Sequence, residues 1–142
     1  LPRQGTVNDG LLAEFMLIPL SNNAPKAAAR QLFGHEYSRG FFDKGRQLGL
    51  ADSDLLATAA AFTADSIAYA YKKYVLPPIA IDEIFLAGGG ALNRTLVELI
   101  QARLAPIRVS TLDELGVPVQ AREVLTMMAI GNETVQGETG NV

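Results

Sequence analysis

Cysteine is absent from the chain, and histidine occurs once, at His35. Disulfide scaffolds and thiolate metal sites are therefore excluded, and a histidine-based metal cluster has nothing to draw on. The lack of thiols fits a reducing compartment, so a cytoplasmic location is the expectation. No run of about 18 apolar residues occurs, so no transmembrane helix is predicted. Excess charge is missing too: 12 Lys and Arg against 15 Asp and Glu leave a net charge of −3. That gives no electrostatic reason to expect nucleic acid or an anionic membrane surface as a partner. What is present is 142 residues, 49% hydrophobic and 19% charged, enough for one modest globular domain with a core. The chain opens Leu1-Pro2-Arg3 without an initiator Met and closes on Gly140-Asn141-Val142, which is expected of a piece of a longer protein.

Hydrophobic spacing predicts helices over most of the first half. Val7, Leu11, Leu12, Phe15 and Ile18 recur at helical intervals behind Asn8 as N-cap, and Pro19 is expected to stop that run. A second helix is expected from Pro25, where Lys26 and Arg30 share a face. A third is expected near Tyr37 to Leu48, weakened by Gly40 and Gly45. The longest runs from Asp52 to Tyr74, capped by Asp52 or Ser53, rich in alanine and ended by Pro77-Pro78. Ile84 to Ala87 reads as a strand buried on both faces, Asn93 to Leu104 as a capped helix, and Ile107 to Ser110 as a second strand. That order is one right-handed βαβ unit with parallel strands. A last helix follows from Ala121 to about Gln136, with Val124, Leu125, Met128 and Val135 directed at the core and Met127-Met128 read as core. Two strands are too few for a complete α/β sheet. Open edges and unmatched apolar faces predict poor solubility for the chain by itself.

The richest signal is Ile84-Phe85-Leu86-Ala87 breaking into Gly88-Gly89-Gly90-Ala91-Leu92-Asn93. Glycines at the end of a strand let a ligand approach the backbone, and a following helix presents N–H groups to an anion. The simpler reading is a tight turn with no ligand. It is not a dinucleotide-binding fingerprint: Asn93 stands where the third glycine belongs, and no acid precedes Asp113 at the ribose spacing. Nor does a Gly-Lys-Ser/Thr follow, as a Walker A loop requires.

The wider pattern is more specific. The glycine run, then Val109-Ser110-Thr111-Leu112-Asp113-Glu114-Leu115-Gly116-Val117-Pro118, then Glu123 in a helix, resembles the C-terminal lobe of anhydro-N-acetylmuramic acid kinases, members of the sugar kinase/Hsp70/actin superfamily. Gly5-Thr6-Val7-Asn8, Pro25-Lys26 with Arg30, Leu32-Phe33-Gly34 and the closing Gly137 and Gly140-Asn141 agree with it, so the resemblance covers essentially the whole chain. It implies an α/β fold: a partial actin-like (ribonuclease H-like) C-terminal lobe, helix-rich, with a helical region over 1–76 and an adenosine-loop βαβ unit and final helix over 80–136. It further implies ATP as cofactor, accompanied by Mg²⁺, and 1,6-anhydro-N-acetylmuramic acid as the substrate opened and phosphorylated at its 6-hydroxyl during peptidoglycan recycling. A homodimer is an assembly state to be tested.

By that resemblance Gly88, Gly89 and Gly90 line the nucleotide, and Asn93 either contacts it or only caps the helix. Glu123 faces the sugar and orients a water or hydroxyl, against the simpler reading of a solvated first-turn acid. For Asp113 a turn cap is expected. Lys26 and Arg30 read as a solvated basic face or as phosphate contacts, and His35 as a surface or packed residue. The family's Lys-Ser/Thr-Thr/Gly-Gly-Arg is here Lys26-Ala27-Ala28-Ala29-Arg30, which removes hydroxyls and a glycine. The family's Gly-Thr-Ser-x-Asp-Gly and Asp-Thr-Gly-x-Gly-Asn loops, the second carrying the catalytic base, do not occur in these residues. The chain alone is therefore expected to be inactive, and a non-catalytic remnant is the alternative.

Overall fold

A computed structural model describes residues 5–21, 33–76 and 78–140, with the side chains of 18–21 excepted. Helix α1, Asp9–Ser21, begins as expected, with Asn8 Oδ1 accepting from Leu11 N–H at 2.9 Å. It does not stop at Pro19 but continues through it. The helix expected from Pro25, with Lys26 and Arg30, lies outside the described residues. Helix α2, His35–Gln47, ends at Gly49, whose φ of +73° lets Gly49 and Leu50 N–H return to the carbonyls of Arg46 and Gly45 at 2.9 and 3.1 Å.

Helix α3, Asp52–Ala70, passes into a π-helical turn over Tyr71–Val75. Neither Asp52 nor Ser53 caps it: Ala51 holds the N-cap position without a side-chain bond. Asp54, inside the first turn, is turned outward instead and accepts from Thr6 N–H at 2.7 Å. One turn on, Thr58 Oγ accepts from Asn8 N–H at 3.0 Å and donates to Asp54 C=O at 2.6 Å. The segment before α1 is thereby clipped to α3. The buried face of α3 is Leu55, Thr58, Ala61, Ala64 and Ala68 with Ala57, so the alanine-rich stretch supplies a closely packed stripe of small side chains.

Strands β1, Glu83–Leu86, and β2, Arg108–Thr111, pair in parallel with Ile84 opposite Val109 and Phe85 opposite Ser110. They are joined by α4, Arg94–Leu104, so the expected βαβ unit is present. In β1 only Ile84 is buried, so the strand is not covered on both faces. Helix α4 buries Val97, Ile100 and Leu104, with Leu96 and Leu99 partly buried beside them. Arg108 bonds Glu83 across the sheet at 2.9 Å and Glu114 beyond it at 2.7 Å, while Ser110 donates to Glu83 at 2.8 Å.

Two cores share α3. Its first half meets Leu11 of α1 and Phe41 of α2 through Leu55. Its second half meets Ile84, Ile100, Leu104 and Val109 through Ala64 and Ala68, and Asp65 pairs with Arg103 of α4 at the margin. Helix α5, Arg122–Gln136, follows the loop after β2 and buries none of its side chains. Val124, Leu125, Met127, Met128 and Val135 are all exposed, which overturns the expectation that they face a core. Their spacing marks the side that wants a neighbour; no element among the described residues supplies one.

Candidate functional site

The glycine run forms a wall at the C-terminal end of β1. Gly88 has φ +83°, a conformation that strains any residue with a Cβ. Its N–H donates to the Val119 carbonyl at 2.7 Å. That bond ties the end of β1 to the loop between β2 and α5. Val119 anchors the loop through a buried side chain, and its own N–H approaches Asp113 Oδ1 at 3.4 Å.

The tie brings Gly88 and Gly89 together with Val119, Gln120, Arg122 and Glu123 around a cleft of about 180 Å³. A Cβ at Gly88 or Gly89 would meet nothing within 4 Å, so the glycine wall is open to an incoming group. The cleft is below the roughly 300–1,000 Å³ of a complete small-molecule pocket and has room for no more than one end of such a molecule. A wider hollow of about 740 Å³ runs along the exposed side of α5, from Arg122 and Glu123 past Val124 and Thr126 to Met127 and Met128. Arg122 and Glu123 border both spaces. Their side chains are 3.6 Å apart and mostly exposed, a separation and setting in which an ion pair contributes little.

Three of the residues singled out in the sequence thus meet: Gly88, Gly89 and Glu123. Gly90 does not line the cleft. It lies in a 3₁₀ turn over Gly89–Leu92, with Leu96 Cδ2 3.7 Å from where its Cβ would be. That turn also separates the glycines from α4, so the helix does not start directly behind them. Asn93 Oδ1 accepts from Leu96 N–H at 3.2 Å, which is the cap reading. His35 is exposed at the start of α2, and Lys26 and Arg30 lie outside the described residues. Sequence reasoning missed Gln120 and Arg122. No motif marks them, and the available signal was their place between a buried Val119 and the singled-out Glu123.

The family model for anhydro-N-acetylmuramic acid kinase matches residues 2–142. The chain belongs to this family. It is 36% identical over 140 residues to an anhydro-N-acetylmuramic acid kinase of Clostridioides difficile (strain 630), covering 98% of this chain and 36% of the relative. It is 32% identical over 143 residues to that of Caldanaerobacter subterraneus subsp. tengcongensis, covering 100% and 36%. A Bacillus cereus (strain G9842) relative is 33% identical over 145 residues, covering 100% and 37%. The chain therefore spans little more than a third of the length of the curated relatives it matches.

Within this family member no group of three or more His, Cys, Asp or Glu among the described residues is placed to hold a metal ion. Glu123 is the one carboxylate lining the glycine cleft. The described residues therefore do not fit a protein-held Mg²⁺. No helix of the described residues is long and apolar enough to cross a membrane.

Proposed function

We propose that this chain supplies the nucleotide-side lobe of an ATP-dependent kinase that opens 1,6-anhydro-N-acetylmuramic acid and phosphorylates its 6-hydroxyl, a step of cytoplasmic amino-sugar recycling. In this reading the lobe is actin-like, and the cleft closes against a second lobe that carries the catalytic base. Water opens the anhydro bridge, the freed 6-hydroxyl oxygen takes the γ-phosphoryl group, and ADP leaves. Phosphoryl transfer depends mainly on positioning and charge stabilisation, and the roles given to these residues are of that kind. The backbone at Gly88 and Gly89 borders the nucleotide, and Glu123 orients the water or hydroxyl on the sugar side. Asn93 supports the turn as a helix cap.

The observation that carries the reading is that Gly88, Gly89 and Glu123 line one cleft in a member of a family whose relatives are named as anhydro-N-acetylmuramic acid kinases. The 142 residues hold no Asp-Thr-Gly-x-Gly-Asn segment, so by themselves they are proposed to turn over no sugar.

Gly89→Val and Glu123→Gln in the intact kinase test the assignment. The Cβ position at Gly89 is open, so valine costs the fold little while filling space the ligand needs. ATP affinity should fall by about tenfold or more, roughly 1.4 kcal/mol. Glu123→Gln should leave ATP affinity within about twofold and lower turnover on the order of a hundredfold. Calorimetric ATP titration that finds Gly89→Val equal to wild type would remove the glycine wall from the nucleotide site.

A further inference from the structure

We propose that Asp113 is a positioning residue for this cleft, setting the distance between its two walls without lining it. The inference rests on the kinase reading above. Asp113 Oδ1 accepts from Val119 N–H at 3.4 Å, and the Val119 carbonyl in turn accepts from Gly88 N–H at 2.7 Å. The two contacts run in series from the loop after β2, through one residue, to the glycine turn. Gly88 and Gly89 stand on one side of that link, and Gln120, Arg122 and Glu123 follow it on the other.

Asp113 is itself held from several directions. It lies in a 3₁₀ turn over Leu112–Leu115, where its carbonyl accepts from Gly116 N–H at 2.9 Å and the Leu112 carbonyl accepts from Val117 N–H at 3.2 Å. The neighbouring Glu114 is fastened to Arg108 of β2 at 2.7 Å. The turn is thus fixed to the sheet, and the carboxylate reaches six residues along the chain rather than capping its own turn, which corrects the turn-cap expectation. Val119 is buried, so its N–H has little water to fall back on when the acceptor goes, and a buried donor left unpaired is costly. The segment then shifts, and Gly88 shifts with it.

In the intact kinase, Asp113→Ala should raise KM for ATP about three- to tenfold. At saturating ATP, kcat should fall by less than in Glu123→Gln, since Glu123 follows the shifted segment but keeps its carboxylate. Asp113→Asn keeps a carbonyl oxygen for the Val119 N–H and should restore KM for ATP. Amide exchange at Val119 and Gly88 should quicken in Asp113→Ala and not in Asp113→Asn. Where the alanine variant does not fold, Asp113→Ser, whose shorter side chain withdraws the acceptor by about one bond, gives the same comparison. A folded Asp113→Ala or Asp113→Ser enzyme with wild-type KM for ATP overturns the proposal. So does an Asp113→Asn enzyme as impaired as the alanine one, because the carboxylate charge would then matter and not the acceptor. Gly89→Val separates the two inferences. If it weakens ATP while Asp113→Ala does not, only the positioning role falls; if it leaves ATP untouched, the kinase-cleft reading falls first.

Discussion

Pro19 has no N–H to give the carbonyl of Phe15 one turn back, yet α1 runs through it to Ser21. The carbonyl finds its donor elsewhere: Tyr37 Oη of α2 bonds Phe15 O at 3.0 Å. The Tyr37 ring also stands edge-on to Phe15, with centroids 5.4 Å apart. A proline that should end a helix is thus accommodated by a hydroxyl from the next one. Tyr37→Phe keeps the ring and orphans the carbonyl, so it should cost about 1–2 kcal/mol in urea denaturation. The same residue gives a pH signature. Burial pushes the Tyr37 phenol from 10.0 up to about 12. Between those values the unfolded chain releases this proton and the folded one keeps it, so stability falls as pH rises through that window. Below about pH 10 the contribution is level. The difference between wild type and Tyr37→Phe should therefore shrink across the alkaline window. A difference that stays constant to pH 12 would show that Tyr37 is not shielded by the fold.

Helix α2 carries two glycines whose roles differ, although in the sequence both only weaken the helix. A Cβ at Gly40 would meet nothing within 4 Å, whereas one at Gly45 would clash with Leu55 Cδ2 and lie 3.2 Å from Leu11 Cδ2. Leu55 and Leu11 are fully buried, so any shift they make to admit a Cβ disturbs a packed core. Gly45→Ala should destabilise by about 1–3 kcal/mol, and Gly40→Ala should stabilise by about 0.5–1 kcal/mol. Equal signs in paired thermal melts would refute the close approach of α2 to α3. The contrast shows where sequence reading runs out. Periodicity finds a helix and its apolar side, so α2, α3, α4 and the parallel βαβ unit were legible. It does not say which neighbour touches which residue. The close contact at Gly45 was therefore not read, and α5 was assigned a core it lacks, although the alanines of α3 were legible as a close-packing surface. At the cleft, Gly88 and Glu123 were legible through motif resemblance. The Asp113–Val119–Gly88 link was not, because it depends on a backbone carbonyl meeting a backbone N–H 31 residues away.

The molecule as a whole is held by α3, which joins the α1–α2 core to the βαβ core, while α5 projects beyond both. The consequence lies on its surface: Val124 is 60% exposed, Met127 66%, Met128 64% and Val135 89%. Burying side chains of this kind is worth roughly 1.5–3 kcal/mol each, and contiguous apolar surface draws partners. In the curated relatives nearly two thirds of the length lies beyond the matched region, which offers material to cover such a face. With these 142 residues alone, another copy is the nearest substitute. The isolated chain should therefore bind a hydrophobic dye and associate as its concentration rises in sedimentation. Replacing Val124, Met127 and Met128 together with Gln should suppress both effects. Because these side chains make no core in the folded chain, the replacement should alter its unfolding free energy little, within about 0.5 kcal/mol for each site. If the wild-type chain instead sediments as a monomer at every concentration without binding dye, the exposed side of α5 is not a face awaiting a neighbour. A large loss of stability in the triple variant would mean that these residues are packed after all.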